Sequence, residues 1–254
     1  MCIERLCGKV TETEIDKALL FESKMMQSIV EGESEQSLSI WTANQSLVVP
    51  KKVSIAKTFP FAAKMLKTRG WPVHTRNTGG DVTPQGQGII NVSYAYTFDI
   101  SSKPSIKDAY LELCKPIADF IRLLGGAPEF KSVPDSFCDG TYNVGVSGRK
   151  IAGTAQRWGQ CKKEKNKAAL FAHALILVDA DLYSSTNAIN DFYERCGRTD
   201  FVNPNAHLNL TDLSEHFPKE ELTSELVSFL YREYRALLGR RASIEKSTVM
   251  PATV

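Results

Sequence analysis

The 254-residue chain has no apolar run approaching the roughly 20 residues that a membrane-spanning helix requires. The longest, residues 168–178, is interrupted by His173 and reads as a buried strand. Six cysteines, at positions 2, 7, 114, 138, 161 and 196, form no CxxC pair and share no regular spacing, which argues against a disulfide framework or a structural zinc site. They fit free thiols in a reducing compartment. Charge of one sign is also lacking: 31 Lys and Arg face 29 Asp and Glu, and a net charge of +2 provides no electrostatic case for nucleic acid. The first ten residues, MCIERLCGKV, lack the apolar core of a signal peptide, so the expected location is cytoplasmic, with no membrane. Internal repeats, heptads and low-complexity segments are absent as well.

What is present suits a soluble globular domain. With 43% hydrophobic and 24% charged residues, the chain is long enough to bury a core without covalent staples. One domain over 1–240 is expected, with 241–254 as a flexible tail. Helices are predicted over 11–30, with Thr11 and Glu14 in capping-box spacing, over 58–69, closed by Gly70, and over 105–124, presenting Ile106, Tyr110, Leu113, Ile117 and Ile121. Two more are predicted over 188–195 and 218–238. Strands are predicted over 37–41, 46–49, 72–76, 89–98 and 168–178, with a hairpin within 138–158. The elements do not alternate as regular βαβ units. This indicates an α/β (α+β) fold with a mixed central sheet flanked by helices.

The chemistry concentrates in SFCDGTYNVGVSGRKIAGTAQRW, residues 136–158. Asp139 and Gly140 are turn formers that would place the Cys138 thiol on a loop. Lys150 follows the Ser147-Gly148 turn, on an arm that folds back toward that loop. A thiol beside an ammonium suits acyl chemistry, because a cation favours a thiolate and also holds a developing oxyanion. A second segment, HTRNTGGDVTPQGQGIINVSY at 74–94, is rich in glycine and reads as a pocket-forming loop leading into a strand.

Together these segments resemble the lipoate and octanoate protein ligase and transferase family, within the biotin/lipoate protein ligase superfamily. The block from Asn143 through Gly148, Arg149, Lys150, Ile151, Ala152, Gly153, Thr154, Ala155 and Gln156 is similar to the family's lysine motif. Arg76, Thr78, Gly79, Gly80, Asn91 and Ser93 fall on its R-x-(T/S)-G-G and L-N-x-S segments. FAHALILVDADL, residues 171–182, resembles the strand that carries its H-x-x-L-L-L-x-x-D-L pattern. The resemblance implies a fold like the biotin/lipoate ligase catalytic domain and a pocket built from Arg76, Thr78, Gly79, Gly80, Asn91, Asn143, Gly153, Thr154, Ala155 and His173.

Cys138, Gly140 and Tyr142 narrow the resemblance to the cysteine-dependent branch that moves an octanoyl group from the glycine cleavage H protein to lipoyl domains. In that branch Cys138 would be the nucleophile and Lys150 its catalytic partner, with no cofactor required. The alternatives are an ATP-dependent lipoate-protein ligase, which would use ATP and Mg, and a degenerate lipoyl-domain or acyl-binding protein. Two departures matter. Asp81 follows Gly80 directly where ligases continue into a third glycine and a His-Asp pair, and Asn143 stands where the family has an acid. Implied partners are lipoyl-domain proteins, with glycine cleavage H protein or acyl carrier protein as donor. The CKKEKNK turn, residues 161–167, reads as a solvated loop whose functional alternative is docking of an acidic lipoyl domain.

Overall fold

The computed structural model describes residues 11–214 and 217–248. In chain order the elements are β1 (Thr11–Thr13), α1 (Ile15–Val30), β2 (Gln36–Ala43), β3 (Ser46–Pro50), α2 (Lys51–Ser54), α3 (Phe59–Thr68), β4 (Val73–Arg76), β5 (Thr83–Gln85) and β6 (Ile89–Asp99). There follow α4 (Ile106–Leu123), β7 (Pro128–Phe130), β8 (Val144–Val146), β9 (Arg149–Gln160), β10 (Lys167–Leu177), α5 (Leu182–Arg195) and α6 (Lys219–Thr248). Seven strands form a mixed sheet in the order β1-β2-β6-β10-β9-β8-β7, in which only the β1–β2 pair is parallel. A second sheet, β4-β3-β5, pairs β3 with β4 in parallel and with β5 antiparallel.

The long central strands sort their side chains by the two-residue period of a strand. On β6, Ile90, Val92, Tyr94, Tyr96 and Phe98 join one core under α4 and α6. On β10, Leu170, Ala172, Ala174 and Ile176 join the same core. The alternate residues face the other way. Ala95, Ala169 and Phe171 pack with Met25, Met26 and Ile29 of α1. Asn91, Ser93 and His173 therefore share the α1 side of the sheet, and the register pairs His173 with Ser93 and with Ala155. A third core, containing Leu66, Phe192 and Leu177, fixes α3 and α5 to that side.

Several elements differ from their sequence-based expectations. Thr11 does not cap a helix: it pairs with Trp41 in β1, and Glu14 at the cap position makes no side-chain cap bond. Instead the Asn44 side chain, in the β2–β3 turn, accepts from Ile15 N–H at 3.1 Å. Strand pairing thus takes the residues that local spacing assigned to the helix. Ile106 is 61% exposed and lies off the apolar face of α4, whose Leu113, Ile117 and Ile121 are buried. β4 joins the small sheet. The helix expected over 188–195 begins at Leu182, where the Asp181 side chain accepts from Ser184 N–H. α6 continues eight residues beyond 240, because Arg241 pairs with Glu112 of α4.

Candidate active site

Three segments converge on the α1 side of the sheet. β4 and the glycine loop supply Arg76 to Gly80, the loop before β8 supplies Phe137 and Cys138, and β9 and β10 supply Gly153 to Ala155 and His173. Between them lies a cleft lined by Leu19, Trp41, Val48 and Leu175 on its apolar side and by Arg76, Asn91, Cys138 and His173 among its polar groups. An apolar lining with a few convergent polar groups is the usual composition of a small-molecule site. The apolar wall suits a hydrocarbon chain. An adjoining hollow carries Thr78, Asn77, Ser23 and Arg157.

Cys138 stands at the cleft wall with φ 46°, a left-handed conformation that a residue with a Cβ adopts at a cost. Its Sγ accepts a hydrogen bond from Asp81 N–H at 3.1 Å, and Arg76 Nη2 lies 3.8 Å away. Gly80, with φ 95°, makes that approach feasible. A Cβ there would lie 2.6 Å from Cys138 Sγ and 3.0 Å from Arg76 Nη2. The Arg76 guanidinium binds the loop from inside, donating to Asp81 O at 2.8 Å, Gly79 O at 3.1 Å and Thr83 Oγ1 at 2.6 Å. The outer clamp is Arg198, which holds the Asp81 carboxylate bidentately at 2.9 and 2.6 Å. Burial opposes ionisation of Asp81, yet the bonds from Arg198 and from Val82 N–H hold its carboxyl below the ordinary value. Asp81 thus anchors the amide that meets the sulfur.

Lys150 is fully buried and approaches Cys138 from behind. Its Nζ donates to Phe137 O at 2.6 Å and to Cys138 O at 2.9 Å. The ammonium therefore grips the backbone under the thiol, and the charged group in contact with the sulfur is the Arg76 guanidinium. Burial pushes the Lys150 ammonium down to about 8, with Cys138 and Asp139 working in the opposite direction. Gly153 leaves room for the lysine, since a Cβ there would lie 3.1 Å from Lys150 Cε and Nζ.

Asn143 is buried but turns away from the cleft, its Nδ2 donating to Asp139 Oδ1 at 2.7 Å. The acid that acts on Lys150 electrostatically is Asp139, one residue after the cysteine. Asp139 also accepts from Val133 N–H at 2.7 Å, which ties the loop to its own entry. Thr154 donates to Tyr142 O at 2.9 Å and, with Ala155, lines the cleft. Asn91 exchanges two hydrogen bonds with Gln85, at 2.8 and 2.9 Å.

His173 is held at both nitrogens, Nδ1 against Glu22 Oε1 at 3.2 Å and Nε2 against Thr78 Oγ1 at 3.3 Å. Glu22 itself is buried and accepts from Ser93 Oγ at 2.5 Å. Glu22 escapes a motif search, although a carboxylate on the buried face of α1, among Ala18, Met25 and Met26, is a legible signal. His207 escapes it too. It stacks on the Phe137 ring at 4.5 Å, accepts from Phe137 N–H at Nε2 and donates from Nδ1 to Asn203 O. Burial, then the nearby Lys150, push it down to about 4, so it is neutral at physiological pH and supports the cysteine loop. No local pattern announces it, because it meets Lys150 only through a tertiary bridge.

Among the described residues no cluster of three or more His, Cys, Asp and Glu side chains is arranged to hold a metal ion, and no helix is long and apolar enough to cross a membrane. Residues 14–234 match the family model described as the lipoyl protein ligase A/B catalytic domain. An octanoyl-[GcvH]:protein N-octanoyltransferase of Kyrpidia tusciae is 29% identical over 159 residues, 61% of this chain and 54% of its own length. The enzyme of that name from Anoxybacillus flavithermus is 25% identical over 240 residues, 93% of this chain and 82% of its own. The chain thus spans little more than half the length of the first and most of the second. The bi-partite lipoate protein ligase of Thermoplasma acidophilum superposes with a TM-score of 0.61 at 18% identity, covering 89% of this chain and 82% of that one, which establishes a shared fold. With the match running from the start of α1 into α6 and across every strand of the cleft, the chain belongs to the lipoyl protein ligase A/B catalytic domain family.

Proposed function

We propose that this protein is an acyltransferase of protein lipoylation that carries an octanoyl or lipoyl group on Cys138 and delivers it to a lysine of a lipoyl domain. The observation that carries the reading is the setting of the sulfur. Cys138 Sγ faces an apolar-walled cleft, accepts the Asp81 amide at 3.1 Å and lies beside Arg76. An amide donor and a guanidinium are the partners that a thiolate nucleophile accepts.

In the first half-reaction the sulfur attacks the donor carbonyl. The Sγ–acyl bond forms, the donor's C–N or C–S bond breaks, and the leaving amine or thiol takes its proton from the His173–Glu22 pair, which the second half-reaction reloads. In the second, the acceptor amine attacks the thioester, an amide forms and the sulfur leaves as thiolate. The amine's proton passes to the His173–Glu22 pair on the cleft wall. Lys150 spends two N–H bonds on Phe137 O and Cys138 O, so its positive charge lies behind the loop that carries the thioester and favours the oxyanion of each tetrahedral intermediate through space. The names of the relatives support an acyl-loaded glycine cleavage H protein, an amide donor, and acyl carrier protein, a thioester donor, is the alternative. The protein needs no resident cofactor in this scheme.

Intact-mass measurement after incubation with an octanoyl donor tests the reading. Wild type is expected to gain an adduct of octanoyl mass on Cys138, and Cys138→Ser to gain none and to transfer nothing. Full activity in Cys138→Ser together with an ATP requirement in wild type would sink the cysteine mechanism and favour the ATP-dependent ligase.

A further inference from the structure

The segment that connects β3 to β4 is strongly basic. Between positions 51 and 69 stand Lys51, Lys52, Lys57, Lys64, Lys67 and Arg69, with no acidic residue among them. All six are exposed. Arg69 pairs with Asp191, whereas the five lysines make no ion pair among the described residues. α3 buries Ala62 and Leu66, one turn apart, so its lysines point to solvent. Two apolar side chains lie within this charged surface, Ile55 at 81% and Phe61 at 58% exposure. Apolar anchors within a field of one charge are the composition of a protein-binding face.

Position gives the surface its meaning. Pro50 is in register with Arg76, the residue beside Cys138 Sγ, and Val48 of the same strand lines the cleft. Lys51 follows Pro50 directly, about 4 Å along the chain. The basic face therefore begins at the rim of the cleft into which an acceptor lysine must reach. The 161–167 turn differs on both counts. Lys162 is paired with Glu31 and Lys167 with Glu164. Lys167 also lies six residues along β10 from His173, roughly 20 Å away.

We propose that α2, α3 and the turn between them form the docking surface for the acyl-accepting protein, and that this partner is a folded domain with an acidic face around its target lysine. The inference rests on the acyltransferase reading for the identity of the partner. A net charge of only +2 over the whole chain makes a local field of five unpaired lysines the feature that would steer such a domain.

The test uses the full chain and a purified lipoyl domain with its acceptor lysine unmodified. Two variants are compared, Lys51→Glu/Lys52→Glu/Lys64→Glu/Lys67→Glu and Lys162→Glu/Lys163→Glu/Lys165→Glu, with the Gln versions of the first set in case the reversal impairs folding. The first set is expected to raise both the Kd of the lipoyl domain, by calorimetry, and the transfer KM about tenfold or more, as four lost rim contacts imply. Loading of Cys138 from a small octanoyl thioester should be unchanged, and the second set should be silent. An unchanged Kd in both versions of the first set, or a loss confined to the second, overturns the proposal. So does binding of a short DNA duplex that the first set abolishes while the lipoyl-domain Kd stays constant. Should Cys138 fail to load in wild type, the acyltransferase reading falls, and the calorimetric arm still decides the docking surface.

Discussion

At the scale of single residues, Lys150 has the most distinctive behaviour. A lysine after a Ser-Gly turn usually points to solvent, yet this one is fully buried on two backbone carbonyls. Its ammonium titrates near 8 instead of the usual 10.5 because burial disfavours the charged form. Two opposite pH effects follow. The proposed acyl transfer, in which the ammonium stabilises the oxyanion, is expected to fall as pH rises through about 8, and a pH–rate profile would show that limb. Stability changes the other way. The unfolded chain binds the proton more tightly than the folded one between about 8 and 10.5, so the lysine's contribution to stability rises across that window. Denaturant titrations of wild type against Lys150→Met check the sign, since a wild-type stability that falls relative to the variant as pH rises from about 8 to 10.5 would contradict this burial.

At the scale of elements, the glycine loop is the part of the site with the least freedom. Gly79 and Gly80 are adjacent and equivalent in composition, but their surroundings differ. A Cβ at Gly79 meets nothing within 4 Å, whereas at Gly80 it would meet Cys138 Sγ at 2.6 Å, on a backbone with φ 95°. Gly80→Ala should therefore abolish Cys138 loading and cost about 1–2 kcal/mol in left-handed strain. Gly79→Ala should keep loading within about threefold, since an open site adds only the few tenths of a kcal/mol of an ordinary surface change. Single-turnover mass measurements on both variants separate the two positions. Equal loss would mean that the loop moves during the reaction.

At the scale of the whole molecule, α6 closes the large core. Leu222, Leu226, Leu230 and Leu238 pack under the sheet, and Tyr234 donates to Leu113 O at 2.5 Å. Arg241 completes the contact: it pairs with Glu112, which also accepts from Tyr94 and Tyr96, and lies 4.1 Å over the Tyr96 ring. Arg241→Ala is expected to destabilise the protein by about 1–3 kcal/mol, the usual loss for a hydrogen-bonded charge in a partly buried site. Urea denaturation reads that loss. The KM for acceptor should not change, because these residues lie on the face of the sheet opposite the cleft.

The elements with a clear period were legible in the chain. Alternation predicted β6, an apolar run predicted β10, and a Pro near the start and a Gly beyond the end framed α3. Of the residues named from the motif segments, Arg76, Asn91, Cys138, Gly153, Thr154, Ala155 and His173 line the cleft, whereas its apolar wall of Leu19, Trp41, Val48 and Leu175 was not named. Where long-range pairing competes with local pattern, sequence fell short: Thr11 to Thr13 went to β2, and Arg241 went to Glu112. The sequence by itself determined the family's motifs, the mixed sheet and the candidacy of Cys138 and Lys150, because those depend on residue type at short spacing. Only the tertiary structure decided that Arg76 and the Asp81 amide meet the sulfur while Lys150 holds the backbone behind it, and that Glu22 and His207 belong to the site. Those contacts join segments many residues apart, and which one forms depends on how strands pair and which groups burial leaves in need of a partner.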